Sequence, residues 1–311
     1  MSDSQSADAV LMIRPVRFQT NPLTAGSNRF QAEQPVAPAD QAQQRALTEF
    51  EGLRAALEDA GVTVHAFDDT PEPHTPDSVF PNNWVSFHAD ATAVVYPMEA
   101  ANRRPERRRD VIEALDRECG YRVDRVIDLS PHEDTGHFLE GTGSLVLDRA
   151  RNRAYACLSS RTHPGPLEDF AQRLGYDVRS FAAVDGAAEP IYHTNVMMWV
   201  GEGMAAVCAG AIPSPDQRQA LLEVLAEGGR TVLELSLAQV MAFAGNMLEL
   251  RNREGERVLV MSEQARRSLD AGQLDAIEGY ARIVSAPLDH IERSAGGSAR
   301  CMLAAIHLPR R

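Results

Sequence analysis

A chain of 311 residues is long enough for two ordinary domains or for one large domain built on a repeat. Its formal net charge of −13 repels phosphate backbones and excludes nucleic acid as the expected partner. No uninterrupted apolar window reaches the roughly 18 residues needed to cross a bilayer, and "MSDSQSADAVLMIRP" carries acids where a signal peptide carries bases, so a cytoplasmic, non-membrane protein is expected.

In chain order, residues 1–8 read as a disordered tail and "AVLMIRPVRF" at 9 to 18 as a strand. The segment 21–44, rich in Pro, Gln and Ala, has little to bury and reads as a loop or lid. Helix-then-strand patterns follow at 53, 111, 167, 221 and 274, so their starts lie 58, 56, 54 and 53 residues apart. Between them lie pairs of strand candidates at 78–97, 137–159, 191–210 and 241–262. The only basic cluster, "RRPERRRD" at 103 to 110, reads as the solvated first turns of a helix.

This is a fivefold internal repeat. The fifth slot holds only "RCMLAAIHLP" at 300 to 309, and the N-terminal strand can supply its missing companion. The expected architecture is a single α/β domain over 1–311, a ring closed by pairing of its two ends with no open edge strand left.

In such a ring the same slot of each unit faces the axis. The start of each first strand carries Asn83, Glu140, His193, Asn246 and Cys301, spaced 57, 53, 53 and 55 residues apart. A carboxylate, an imidazole and a thiol at one place are the set needed for thiol nucleophilic catalysis. Cys301 follows "AGGSA", read as a small flexible turn that leaves room for substrate above the sulfur. Cys157 and Cys208 sit in small apolar runs and read as inert core thiols, and the four cysteines form neither a disulfide nor a zinc framework. The spacing of His132 and His137 fits no standard metal motif; both read as loop-rim or solvated residues, and neither metal nor organic cofactor is expected.

"TPDSVFPNNW", "HFLEGTG", "LSSRTHP", "IYHTNVM" and "GGSARCM", beginning at 75, 137, 158, 191 and 296, run in that order along essentially the whole chain and resemble the motifs of the guanidine-modifying superfamily. Its members include arginine deiminases, dimethylarginine dimethylaminohydrolases, succinylarginine dihydrolase and amidinotransferases. The resemblance implies a five-bladed, pseudo-fivefold α/β propeller (pentein) of ββαβ units. It also implies Cys301 as nucleophile, His193 as general acid/base and Glu140 as the carboxylate that binds substrate nitrogen and orients the histidine. Asp77 resembles a substrate-binding acid, Arg161 a recurring substrate or supporting arginine, and Arg14 and Arg17 are candidates for holding a substrate carboxylate. A small amino acid is the implied partner and a homodimer the implied assembly.

Two positions depart from the pattern: Asn83 stands where an aspartate is usual, and Glu140 is followed by Gly-Thr-Gly rather than Gly-Gly-Asp. Replacing one carboxylate by an amide removes a charge and adds an N–H donor, which suits a neutral ureido group with its C=O acceptor better than a guanidinium. The expected reaction is therefore hydrolysis of citrulline to ornithine, ammonia and carbon dioxide through an S-carbamoyl cysteine. The alternatives are an arginine deiminase or dihydrolase, an amidinotransferase, and a ligand-binding protein without catalysis.

Overall fold

The computed structural model describes residues 4–311. The first unit begins with β1 (Ala9–Arg14), passes through α1 (Ala39–Asp59) and returns as β2 (Thr63–Asp68), parallel to β1. Helix α1 starts well before the expected position. Ala42, Ala46, Phe50, Leu53 and Leu57 recur at helical spacing and are its buried residues, so two alanines in a polar stretch carry the apolar stripe back into the segment read as loop or lid.

The next three units share one plan. The second has β3 (Val85–Phe87), β4 (Thr92–Val95), α2 (Arg109–Arg117) and β5 (Arg125–Asp128). The third has the one-turn α3 (Gly141–Ser144), β6 (Val146–Asp148), β7 (Arg153–Cys157), α4 (Pro164–Leu174) and β8 (Asp177–Phe181). The fourth has β9 (Met198–Val200), β10 (Met204–Val207), α5 (Pro215–Ala226) and β11 (Thr231–Glu234).

The fifth contains α6 (Leu237–Met241), β12 (Leu248–Arg251), β13 (Arg257–Ser262), α7 (Glu263–Ser268), α8 (Ala271–Glu278) and β14 (Arg282–Ala286). Helix α9 (Asp289–Ala295) and the two-residue β15 (Ala304–Ala305) complete the chain.

In every unit a short first strand pairs antiparallel with the second, and a helical crossover brings the third parallel to the second. The helices start and stop for local reasons. In α4 the ring nitrogen of His163 accepts the Gly165 N–H, Pro164 takes the first position, and Gly175 ends the helix in the left-handed region. In α8 Asp270 and Gln273 form a reciprocal capping box.

Strand β15 pairs antiparallel with β1, Val10 opposite Ala305 and Leu11 opposite Ala304, so the ends of the chain close the ring as expected. The result is a pentein propeller of five three-stranded sheets. Edges nonetheless remain: the sheets are separate, and outer strands such as β8 are largely exposed on one side. The units adhere through side-chain packing instead, as in the apolar cluster that joins Trp199 and Val207 of one unit to Leu259 and Met261 of the next.

Residues 1–3 lie outside the described residues, but the expected tail does not extend to residue 8. The Gln5 side-chain amide donates to the Leu147 and Val200 carbonyls and accepts the Arg149 N–H, Ser6 Oγ donates to Glu249, and Ala7 bridges Leu250. A polar stretch is thus ordered by filling backbone and carboxylate valences at the ring axis. No helix among the described residues is long and apolar enough to cross a membrane.

Candidate active site

Each first strand is preceded by a tight turn, and the five in-phase residues occupy these turns. Asn83 ends a 3-10 turn over Pro81–Asn83, Glu140 immediately precedes α3, and His193 precedes the 3-10 turn Thr194–Val196. Asn246 lies between α6 and β12, and Cys301 lies in the turn before β15. All five are at most 3% exposed, so turns that ordinarily face water here converge on a protected cavity. Asp77, Asn83, Arg103, Arg161, Tyr192, His193 and Cys301 line it, with Thr24 and Asn28 contributed by the segment 21–44, which therefore packs over the site.

His193 Nε2 is 2.9 Å from Glu140 Oε2. An ionised carboxylate only accepts, so this contact assigns the ring proton to Nε2 and leaves Nδ1 with a free lone pair. Burial pulls His193 below its usual pKa even though Glu140 opposes this, so the resting ring is neutral. Burial would raise Glu140, but Arg161, His193 and Arg103 hold it well below the usual carboxylate range. Its Oε1 also accepts the Glu99 N–H at 3.1 Å.

The Cys301 sulfur sits against two amides, with Asn246 Nδ2 at 3.2 Å and Asn195 Nδ2 at 3.7 Å. Burial pushes the thiol pKa up, while the Ser298 backbone, Asn246, Arg300 and Asn195 pull it back. The resting sulfur is a thiol, and the groups that favour its thiolate are the neighbouring amide and backbone dipoles together with Arg300.

The "AGGSA" glycines serve close packing more than flexibility. Gly296 is left-handed at the end of α9, and a Cβ on Gly297 would lie 2.7 Å from the Phe80 ring.

Arg103 was hidden in the run read as a solvated helix start. It lies in a 3-10 turn over Ala101–Glu106 with its side chain 2% exposed. It forks onto Glu106 with two 2.9 Å contacts, donates to Asn83 Oδ1 at 3.1 Å and approaches Asp77 Oδ2 and Glu140 Oε2 at 3.7 and 3.8 Å. The Glu106 spaced three residues on was the available signal: a buried arginine needs a carboxylate partner.

Arg161 donates to Ser27 Oγ and the Thr24 carbonyl, pairs with Glu99 and Glu140, and lies 5.1 Å over the Tyr192 ring. Asp77 Oδ2 accepts from Asn21 Nδ2 at 2.7 Å.

Two cavity atoms remain unpartnered among the described residues: Asp77 Oδ1 and Asn83 Nδ2. The Asn83 amide cannot simply be turned over, because Arg103 is donor-only and requires the oxygen on its side.

Arg14 is not part of this site. It pairs with Glu51 at 2.7 Å and Asp68 at 3.5 Å in a partly exposed cluster at the end of β1, and Arg17 pairs with Glu72 at the surface. Arg14→Ala therefore leaves KM for an amino-acid substrate within about twofold of wild type, since an exposed pair contributes about 1 kcal/mol or less and only to local stability. A large rise in KM would return Arg14 to the site.

His132 pairs with Asp169 and His137 stacks on His163, and no metal-holding cluster occurs among the described residues. Cys157 is fully buried and burial pushes its thiol up to about 12.

Gly143 explains one departure from the family pattern. A Cβ there would lie 2.4 Å from Asn83 Nδ2 and 2.7 Å from His193 Nδ1. Gly143→Ala must displace those two side chains, so turnover should fall at least about tenfold for a stability loss of only about 1–3 kcal/mol. Steady-state kinetics beside thermal denaturation checks this, and unchanged turnover would mean that neither side chain needs its place.

A closed ring of five ββαβ units with a thiol, an imidazole and a carboxylate in equivalent turns defines a pentein-type hydrolase of carbon–nitrogen bonds in guanidino or ureido compounds. The family model described as N,N dimethylarginine dimethylhydrolase, eukaryotic, matches residues 14–308, and the chain belongs to that family.

Among solved structures the fold is similar to the N-terminal domain of ArgZ, a cyanobacterial arginine dihydrolase, in a substrate-bound mutant form: TM-score 0.72, 17% identity, covering 95% of this chain and 96% of that one. It is also similar to unliganded AgrE, with TM-score 0.74 and 19% identity over 97% of this chain, which spans only 40% of the AgrE chain. A dimethylarginine dimethylaminohydrolase adduct with 4-chloro-2-hydroxymethylpyridine gives TM-score 0.64 and 14% identity, covering 96% of this chain and 98% of that one. No curated protein matches in sequence.

Proposed function

We propose that the enzyme releases ornithine by cleaving a ureido group, and that arginine enters the same site one hydrolytic round earlier, making the whole reaction an arginine dihydrolysis. The observation that carries this reading is the unpartnered pair in the cavity, a donor on Asn83 and an acceptor on Asp77. A guanidinium offers only N–H donors, whereas a ureido group brings a C=O acceptor as well as N–H donors, so it fills both valences. Family membership and the likeness to an arginine dihydrolase support arginine as the first substrate, which shifts the emphasis from citrulline as sole substrate to citrulline as the second-round species.

In this mechanism Arg103 and Arg161, the two cations lining the cavity, hold the α-carboxylate of the amino acid. His193 Nδ1 takes the thiol proton and the Asn246 and Asn195 amides support the sulfur as its charge develops.

With arginine, the thiolate adds to the guanidinium carbon, His193 returns the proton to the departing ammonia, and water cleaves the thiouronium to citrulline. With citrulline, addition to the ureido carbon expels the ornithine amine with that proton and leaves an S-carbamoyl cysteine. Water then frees the thiol and carbamate, which divides into ammonia and carbon dioxide. The sum is arginine and two waters to ornithine, two ammonia and carbon dioxide.

Product analysis of the purified enzyme tests the reading. Ornithine should appear from both substrates, with little free citrulline from arginine. Citrulline as the final product of arginine would overturn it, and ornithine from citrulline alone would restrict the substrate to ureido compounds. Asn83→Asp exchanges the donor for a third carboxylate beside Glu140 and Asp77. It should raise the arginine-to-citrulline ratio of kcat/KM roughly tenfold, and an unchanged ratio would count against the role given to Asn83.

A further inference from the structure

A second chamber lies on the ring axis along the same first strands, lined by residues of all five units: Ser86 of β3, Leu147 of β6, Trp199 of β9, Glu249 of β12 and Ala305 of β15, with Gln5 at its wall. Arg149, Arg300 and His307 are among the residues that line it. Four arginines among the described residues are nearly fully buried, and three of them, Arg103, Arg161 and Arg230, have carboxylate partners. Arg149 has none among the described residues; its one side-chain hydrogen bond runs to His88 Nδ1 at 3.5 Å.

Arg300, partly buried, has no carboxylate partner among the described residues either and spends one N–H on the Leu303 carbonyl. Burial, with Arg149 adding to it, draws its pKa down to about 10. The other ionisable groups nearby do not compensate. Burial, with Arg149 adding to it in both cases, keeps His88 and His307 neutral. Glu249 is committed to Ser6, Tyr280 and the Glu202 N–H, and Asp148 to Arg230 and Arg151.

We infer that the axial chamber is an anion site in which Arg149 and Arg300 share a small planar oxyanion of the bicarbonate class. Two mutually repelling guanidiniums in one chamber, each with N–H forks unspent on carboxylate, are satisfied by a trigonal anion that turns acceptor oxygens toward both. The choice of bicarbonate rests on the ureido-cleaving reading, because hydrated carbon dioxide is the anion that reaction forms; the anion site itself does not.

Arg300 is the chain neighbour of Cys301 and one of the charges favouring its thiolate. An anion on Arg300 cancels that help, so the occupant slows the nucleophile from a chamber that shares no lining residue with the substrate cavity.

The test measures the rate of Cys301 alkylation by iodoacetamide at fixed pH and ionic strength in the intact enzyme, titrated with bicarbonate and separately with nitrate. The reading needs no turnover, so it stands or falls apart from the product analysis. The expected result is a saturable fall in rate with bicarbonate, with the half-effect concentration raised at least tenfold in Arg149→Gln and largely restored in Arg149→Lys. Absence of a saturable effect from either anion, or an equal effect in Arg149→Gln, would overturn the site. An effect of nitrate but not bicarbonate would overturn the assigned ligand.

Discussion

Cys301→Ser lowers turnover by at least about 10⁴-fold with either arginine or citrulline while the protein still folds. The substitution is nearly isosteric, and the Asn246 and Asn195 amides that face the sulfur can donate to a hydroxyl oxygen just as well. What is lost is the one group lining the cavity that is able to become a strong nucleophile near neutral pH. Cys157 and Cys208 cannot replace it, because both are buried elsewhere with their thiols held protonated.

The same argument fixes the pH profile of the free enzyme. Burial raises the Cys301 pKa, so the thiolate fraction at pH 7 is smaller than in free cysteine. Alkylation should therefore climb with pH through a midpoint above the ordinary thiol value of about 8.5. A midpoint below that value would mean that the amides and Arg300 outweigh burial.

His193→Ala is the second large effect, a loss of about 10²-fold or more in kcat through the missing proton transfer. A merely structural histidine would lose activity through KM or folding; an acid/base histidine loses kcat, flattens a limb of the pH–rate profile and is partly rescued by added imidazole.

Stability carries a separate signature. The folded ring titrates below the ordinary histidine pKa of 6.5 because burial disfavours its charge. Between 6.5 and that lower value the unfolded chain binds more protons, so wild-type stability falls as pH drops through this window. His193→Ala lacks that contribution to the slope, and denaturant titrations at several pH values measure it.

The period of the repeat made the ring legible from sequence, because each unit repeats a turn, a strand pair and a crossover helix at nearly constant spacing. Phase then picked out Asn83, Glu140, His193, Asn246 and Cys301 without any contact information, and the structure buries all five in equivalent turns. Arg103 was illegible for an energetic reason. A run of arginines is ordinarily solvated, and only the tertiary placement of Glu106, Asp77 and Glu140 makes burial of one of them tolerable. Asn195, two residues after His193, carries no sequence signal beyond its neighbour; the 3-10 turn at Thr194–Val196 aims it at the sulfur. Arg14 misled because it lies on the closing strand, whose final residue points to the surface acids Glu51 and Asp68.

The most direct measurement is rapid acid quench of the enzyme during turnover of citrulline labelled with ¹³C at the ureido carbon, followed by mass analysis of the peptide that contains Cys301. The account predicts a labelled carbamoyl group on Cys301 in the steady state, with ornithine released ahead of labelled carbon dioxide. Ornithine formation with Cys301 unmodified at every quench time, or label on another residue, would contradict it.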